Sequence, residues 1–326
     1  MIRPRLLGLA LLTLLIACSS TPDGELTDKQ KLGLYLENAG RYYELGEIER
    51  CLDQCYRGLA IQEDNERFLL IQGRCHQHLG TSRDIAIAEQ IFRDHPAQDD
   101  FRVRLGLAAA LERKGLLMSE SAVVIRSGER YTEAADPEAR ADDLLKLSIE
   151  AWEESIEAYL DAERLFTGSF EALNGLMRVS RYQGKNNESL AYATTLLDSI
   201  EGSNKLFRVT LTENEAKGES SVSARRTLLD NQELETFVRL ESSELLHGFG
   251  RSDEALAQLD QALSLDPNMT NLHSRRGQLL FEMKRYSRAK SALERFLSLS
   301  NEPFDHPDIR GTYALIAQCD TALGRR

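Results

Sequence analysis

One spacing dominates the sequence. Gly46, Gly80, Gly115, Glu150, Gly184, Gly250, Lys284 and Gly324 follow one another at steps of 34, 35, 35, 34, 66, 34 and 40 residues. Three stretches that begin at these anchors share a pattern: "GEIERCLDQCYRGLAIQED" from Gly46, "EAWEESIEAYLDAERLFTG" from Glu150 and "GRSDEALAQLDQALSLDPN" from Gly250. Five places on stands a small residue (Cys51, Ser155, Ala255), and nine places on a larger one (Cys55, Tyr159, Leu259). Twelve places on the residue is small again (Gly58, Ala162, Ala262). These offsets fall on one face of a 3.6-residue helix, where small side chains let a second helix come close. A unit repeated at this period buries its apolar face only against its neighbours, so the chain must stack. Glycine at the anchor suits a left-handed turn that ends the first helix of each pair.

The 34-residue helix–turn–helix period with small residues in these places resembles the tetratricopeptide repeat (TPR) over roughly residues 29–325. The resemblance is strong around Gly46, Trp152, Gly184, Gly250 and Tyr286. It weakens around Gly80 and Gly115, where Glu89 and Glu120 fall at inward positions and the register is expected to shift. It implies an all-α, right-handed superhelical solenoid of seven or eight TPR-like helix pairs. Residues 29–202 form the N-terminal repeats and 236–326 the C-terminal repeats with a capping helix over Tyr313–Leu323. The step of 66 makes 203–235 a degenerate repeat or an excursion loop, and the step of 40 makes Asn301–Ile309 an insertion. Thr27-Asp28-Lys29-Gln30 has the form of a capping box that opens the first helix.

The start of the chain has its own logic. Arg3 and Arg5 precede a twelve-residue apolar run, Leu6–Ala17, which is the layout of a secretory signal over residues 1–17. Twelve helical residues rise about 18 Å, short of the roughly 30 Å hydrocarbon core of a bilayer. Leu15-Ile16-Ala17-Cys18 resembles the bacterial lipobox, which implies cleavage before Cys18 and acylation of its thiol and new amine. Two or more acyl chains anchor durably where one binds marginally. Ser19 and Ser20, with no Asp after the Cys, resemble the pattern that permits transfer to the outer membrane. Residues 18–28 would then be a lipidated tether, and the protein would sit in the cell envelope facing the periplasm. Without Arg3 and Arg5, 38 basic residues stand against 52 acidic ones, a net charge of −14. So acidic a chain is poorly suited to nucleic acid, and no nucleic-acid partner is expected.

No catalytic motif is present: no Gly-rich phosphate loop, no G-x-S-x-G, no H-E-x-x-H. The chain is therefore read as no enzyme, with no cofactor and no resident metal. The nearest thing to reactive chemistry is Cys51-x₃-Cys55 with Cys75-His76-Gln77-His78. Soft ligands of this kind leave a metal site open, but the repeat register places Cys51 and Cys55 inward, as small hydrophobes. Outside the cytosol a disulfide from Cys75 to Cys51 or Cys55 is a further alternative. A Cys51–Cys55 bond is the poorest, since both side chains leave one face of one helix.

In TPR proteins the first helix of each pair lines a concave groove. Carried over position by position, that stripe includes Tyr43, Arg74, His78, Arg113, Asn174, Arg178, Arg181, Tyr182, His247 and Phe281. Basic and aromatic residues are over-represented there, and Arg178 and Arg181 stand one turn apart beside Asn174. Guanidinium forks hold carboxylates, and an amide can hold an extended backbone. The resemblance thus implies a lipid-anchored scaffold or adaptor that binds protein partners, as in assembly of an envelope machine, and touches the membrane through its lipid. A lipoprotein that captures small carboxylates or sugars is the competing reading, favoured by a deep closed pocket over an open groove. A redox- or metal-linked protein built on the cysteine cluster is the third. Replacing the lipobox cysteine separates anchored from free: Cys18→Ser should abolish fatty-acid labelling and move the protein to the soluble fraction. Undiminished membrane retention, with no lipid on the native chain, would end the lipoprotein reading.

Overall fold

The computed structural model describes residues 26–128, 136–217 and 220–324, so Cys18 and the signal-like segment lie outside the described residues. These residues form thirteen helices and, among themselves, no strand. They are arranged as six consecutive pairs: α1 (Asp28–Glu44) with α2 (Ile48–Ile61), α3 (Glu66–Leu79) with α4 (Ser82–Arg93), and α5 (Phe101–Ser127) with α6 (Pro137–Leu165). There follow α7 (Phe170–Tyr182) with α8 (Asn186–Lys217), α9 (Val222–Gly248) with α10 (Ser252–Leu265), and α11 (Thr270–Glu282) with α12 (Tyr286–Leu299). A single helix, α13 (Pro307–Ala322), closes the stack. The fold is an all-α solenoid.

The small-residue positions explain the pairing. Cys51, Cys55, Ser155, Ala162, Ala255 and Ala262 are fully buried, and Tyr159 and Leu259 nearly so. Buried side chains form a run of hydrophobic clusters along the stack, each shared by adjacent pairs. First helices also touch first helices, α1 to α3, α3 to α5, α5 to α7, with α11 meeting α13. Elements crowd on the inside of a curve, so the first helices line the concave side. The first helix opens as its sequence requires: the Thr27 side chain accepts from Gln30 N, and the Gln30 side chain accepts from Thr27 N. Gly46, Gly80, Gly184, Gly250 and Gly324 all adopt positive φ where helices end.

Gly115 does not. It lies inside α5, which runs on to Ser127, and a Cβ built there would overlap the indole of Trp152 at Nε1. A glycine read as a turn is a packing hole for an indole. The units anchored at Gly115 and Glu150 are therefore one pair, with both helices extended beyond the usual length, and the described residues hold six pairs and a closing helix. Over 203–235, expected as a degenerate repeat or an excursion loop, residues up to Lys217 complete α8 and Val222 opens α9. Thr210 and Thr212 are accommodated because their hydroxyls bond back one turn, to Leu206 O (3.2 Å) and Arg208 O (3.0 Å). The closing helix begins six residues before the expected Tyr313, with Pro307 in its first turn and the His306 side chain accepting from Asp308 N. Glu89, expected at an inward position, is accommodated by Lys114 at 2.9 Å and by Arg93.

Lys284 occupies the turn that glycine fills in the other repeats, at φ 59°. A Cβ in this region costs about 1 kcal/mol. Lys284→Gly should therefore raise stability by about that amount in a denaturant titration, with the slope unchanged. A loss of stability would show that the lysine side chain contributes more there than its backbone strain removes.

Candidate functional site

The groove is best developed where α5, α7, α9 and α11 meet. The Ser169 side chain caps α7 by accepting from Ala172 N, which sets its register. Leu173, Leu176, Met177 and Val179 are buried by that register, leaving Asn174, Arg178, Arg181 and Tyr182 partly accessible on the other side. Arg178 reaches across to α5 and donates from Nε to Glu112 Oε1 (2.8 Å) and from Nη2 to Glu112 Oε2 (2.7 Å). Tyr159 of α6 donates its hydroxyl to the same Oε2 at 2.7 Å. Glu112 is 6% exposed, so its charge is compensated by a two-pronged pair plus a phenol. Burial, then the Glu112 charge, pushes the Tyr159 hydroxyl well above its ordinary range. Burial opposes the charge on Arg178, but its bonds to Glu112 outweigh that and hold the guanidinium protonated more firmly than usual. Burial and then Glu112 also raise Tyr182, whose ring packs 5.6 Å from Trp152.

Arg181 turns the other way, toward α9. It pairs with Glu241 and, at 2.6 Å, with Glu244, and Arg275 of α11 shares Glu244 at 3.1 Å. One turn further on, His247 meets Glu282 of α11 at 2.8 Å. Two cavities lie along this line. One, of about 400 Å³, is walled by Met177, Arg178, Arg181, Tyr182, Phe237 and Glu241. The other, of about 320 Å³, is walled by Arg181, Glu244, His247, Arg275, Gln278 and Glu282, over a floor that includes Leu240 and Leu279. Arg181 belongs to both.

Four residues of the stripe read from sequence are thus brought together: Arg178, Arg181, Tyr182 and His247. Asn174 lies on the same helix, its Oδ1 buried and accepting no hydrogen bond from the described residues. Tyr43 and Arg74 meet at the other end of the stack, over the first two pairs, where burial raises the Tyr43 hydroxyl and Arg74 opposes the rise. His78 is exposed at the end of α3, Arg113 pairs with Glu120 at 3.6 Å, and Phe281 packs edge-on against Tyr286 at 5.6 Å. These three line neither cavity.

A partly basic groove is the expectation that the geometry corrects. Arg178, Arg181 and Arg275 each face a carboxylate, so this stretch is charge-balanced. The stripe as read from sequence omits Glu241, Glu282 and Arg275. The available signal is the three-residue spacing of Glu241 and Glu244 on α9, which matches that of Arg178 and Arg181 on α7.

The four described cysteines, Cys51, Cys55, Cys75 and Cys319, are buried thiols, with Cys75 Sγ 3.1 Å from Cys51 Sγ. Among the described residues no His, Cys, Asp or Glu cluster is arranged to hold a metal ion, and no helix is long and apolar enough to cross a membrane.

Residues 246–316, from the end of α9 into α13, match the family model of the tetratricopeptide repeat. The other described helices also follow one another as pairs, some of them much longer. The chain is similar to a thermophilic TPR protein of Thermus thermophilus, at 18% identity over 78% of this chain and 100% of that one, with a TM-score of 0.44. It is also similar to the assembly chaperone of RpL4, at 15% identity over 92% and 97% of the two chains with a TM-score of 0.38. A third similarity is to the TPR2AB domain of yeast Sti1, solved as a complex with pHSP90, at 13% identity over 89% and 98% with a TM-score of 0.30. Among curated proteins none matches.

The Glu112 pair gives a direct test of the geometry. Arg178→Met should destabilise the protein by about 3–5 kcal/mol, because it strands a buried carboxylate. Adding Glu112→Gln should recover most of the loss, which a double-mutant cycle in urea would measure. Equal losses that simply add would show that the two groups do not interact.

Proposed function

We propose that the chain is a lipid-anchored TPR-like scaffold of the bacterial cell envelope that holds a protein segment along α7, α9 and α11. The observation that carries this reading is the pair of cavities joined at Arg181. Two open hollows in line suit an extended ligand, whereas a small carboxylate or sugar calls for one enclosed pocket with converging polar groups. The groove's own ion pairs define what it would accept. An incoming carboxylate competes with Glu241 and Glu244 for Arg181, and ligand amides or ammonium groups satisfy the glutamates released. Leu240 and Leu279 supply apolar floor between these polar walls. A segment of mixed charge with an apolar side chain between fits best; a purely acidic one meets Glu241, Glu244 and Glu282.

Anchoring through Cys18, at the outer membrane facing the periplasm, is the second half of the proposal, supported by the lipobox-like run and the tether. Binding by the scaffold needs no chemical step, and none is assigned to it.

The test pairs stability with capture. Arg181→Gln and His247→Ala together remove two polar walls without touching Glu112. Crosslinking in membranes, with the photoreactive group at Gln278, should yield partner adducts in the parent protein and far fewer in the double variant. Circular dichroism melts should show that the helices persist. A variant that melts normally and gives the same adducts in the same yield would show that this stretch is only a solvated face. Leu196→Asp, at a fully buried position against α7 and α9, is the contrasting control and should unfold its repeat.

A further inference from the structure

Cys51, Cys55 and Cys75 form a second cluster, far from the α7–α11 groove. All three are fully buried between the first two helix pairs, amid Ala39, Ile48, Leu52 and Phe68. Cys51 and Cys55 share one face of α2, and Cys75 approaches from α3. The Cys75 thiol points at Cys51, Sγ to Sγ 3.1 Å, while the Cys51 thiol also reaches Ala39 O at 3.2 Å. A disulfide needs a separation of about 2.05 Å and a cross-helix approach of the two Cβ atoms. Only about 1 Å of side-chain movement separates this pair from that length. Cys55, on the same face of the same helix as Cys51, lacks the facing geometry for a bond to Cys51, and it is Cys51 that the Cys75 thiol approaches.

We propose that Cys51 and Cys75 form a reversible disulfide that staples α2 to α3 and turns the first two helix pairs into one redox-set unit. The oxidant is a small or protein disulfide. The Cys51 thiolate attacks one sulfur of that donor, giving a mixed disulfide and releasing one donor thiolate, which takes up a proton. Cys75 then loses its proton to solvent and its thiolate attacks the Cys51 sulfur, forming the Cys51–Cys75 bond and expelling the second donor thiolate, which is protonated in turn. Two protein thiols and one donor disulfide thus become one protein disulfide and two donor thiols. Cys51 attacks first because hydrogen bonds from Cys55 and Cys75 favour its thiolate, whereas the bond to Cys51, together with burial, pushes both other thiols up.

Access comes from position. Both sulfurs are sealed, but α1, which covers them, is the outermost described helix and, among the described residues, packs chiefly against α2 and α3. Terminal units of a solenoid have one neighbour and open most readily. The staple would also reach the groove. Tyr43 and Arg74 lie beside the cluster, close enough that Cys75 and Cys51 both act on the Tyr43 hydroxyl. Arg74 stands on α3 and Tyr43 on α1, so the staple ties Arg74 to α2, the pairing partner of the helix that carries Tyr43.

The experiment needs neither partner nor membrane, so its outcome is independent of the groove reading. The reduced full-length protein is equilibrated with glutathione buffers of rising oxidised fraction, quenched in acid, denatured, alkylated and digested with trypsin. Cleavage after arginine yields Cys51–Arg57, "CLDQCYR", and Cys75–Arg83, "CHQHLGTSR". These should appear joined, with fragmentation placing the bond on Cys51 and alkyl groups on Cys55 and Cys319. Dithiothreitol should reverse the bond, and the oxidised form should melt several degrees higher than the reduced one. Cys55→Ala should preserve both results, and Cys75→Ala should lose both. Free thiols at all four positions in every buffer would overturn the proposal. So would a bond from Cys55, or a Cys51–Cys75 form that melts no higher than the thiols.

Discussion

Close approach of helices at small residues is the constraint on which the rest of the structure depends. Phe92 of α4 fills the space over both Gly73 of α3 and Gly106 of α5, where an added Cβ would overlap its ring. Tyr159 of α6 fills the same kind of space over Gly175 of α7, and Phe68 of α3 does so over Gly58 of α2. In each case one large side chain is seated by a glycine of a neighbouring helix, and Phe92 spans two successive pairs. Each such seat sets the offset of one pair on the next, and repeated offsets determine which side of the stack is crowded. Interiors packed this closely tolerate no added methyl without a shift. The groove depends on such a seat: Gly175, one turn before Arg178 on the same side of α7, receives Tyr159, and that contact sets how the stripe is turned.

Tyr159 ties that packing to the site's electrostatics. Its ring fills the glycine seat while its hydroxyl bonds Glu112, the carboxylate that also holds Arg178. A carboxylate at this depth is tolerable only when paired and hydrogen-bonded, so three helices converge on one charge. Arg178 is accordingly part of the wall, whereas Arg181, three residues on and about as exposed, faces the more accessible Glu241 and Glu244 and is the group that the proposed ligand would compete for. The difference between two arginines on one stripe lies in what faces them across the gap.

The repeat, the capping box, the glycine turns and the inward positions are legible in the sequence because each follows from local periodicity. The same local reasoning misreads Gly115, since a glycine that ends a helix and a glycine that seats an indole look alike without the partner. Trp152 is 37 residues away in sequence and only the pairing of α5 with α6 brings it there. The length of α8 and α9 is hidden for a related reason: threonines that favour strands in isolation are satisfied by their own helix. At the groove, the stripe on α7 is legible as a stripe. Its charge state is not, because the compensating Glu112, Glu241 and Glu244 come from helices 60 or more residues distant.

Two of the extended helices, α5 and α9, bear on that same groove. α5 carries Glu112 near its middle and continues to Ser127, while α9 begins at Val222 and carries Glu241 and Glu244 near its far end. Both helices therefore have a base inside the packed stack and a distal arm beyond it. Val123 and Val222 are exposed on those arms, and Leu206 and Val209 on the adjoining end of α8, although Ala122 and Ala224 are buried. The bases are held by the buried pair and by Leu240, Leu245 and Leu246. A continuous helix transmits a tilt along its axis, because bending it strains hydrogen bonds along the whole turn. Glu241 and Glu244 thus stand on the same continuous helix as the α9 arm, and Glu112 on the same helix as the α5 arm.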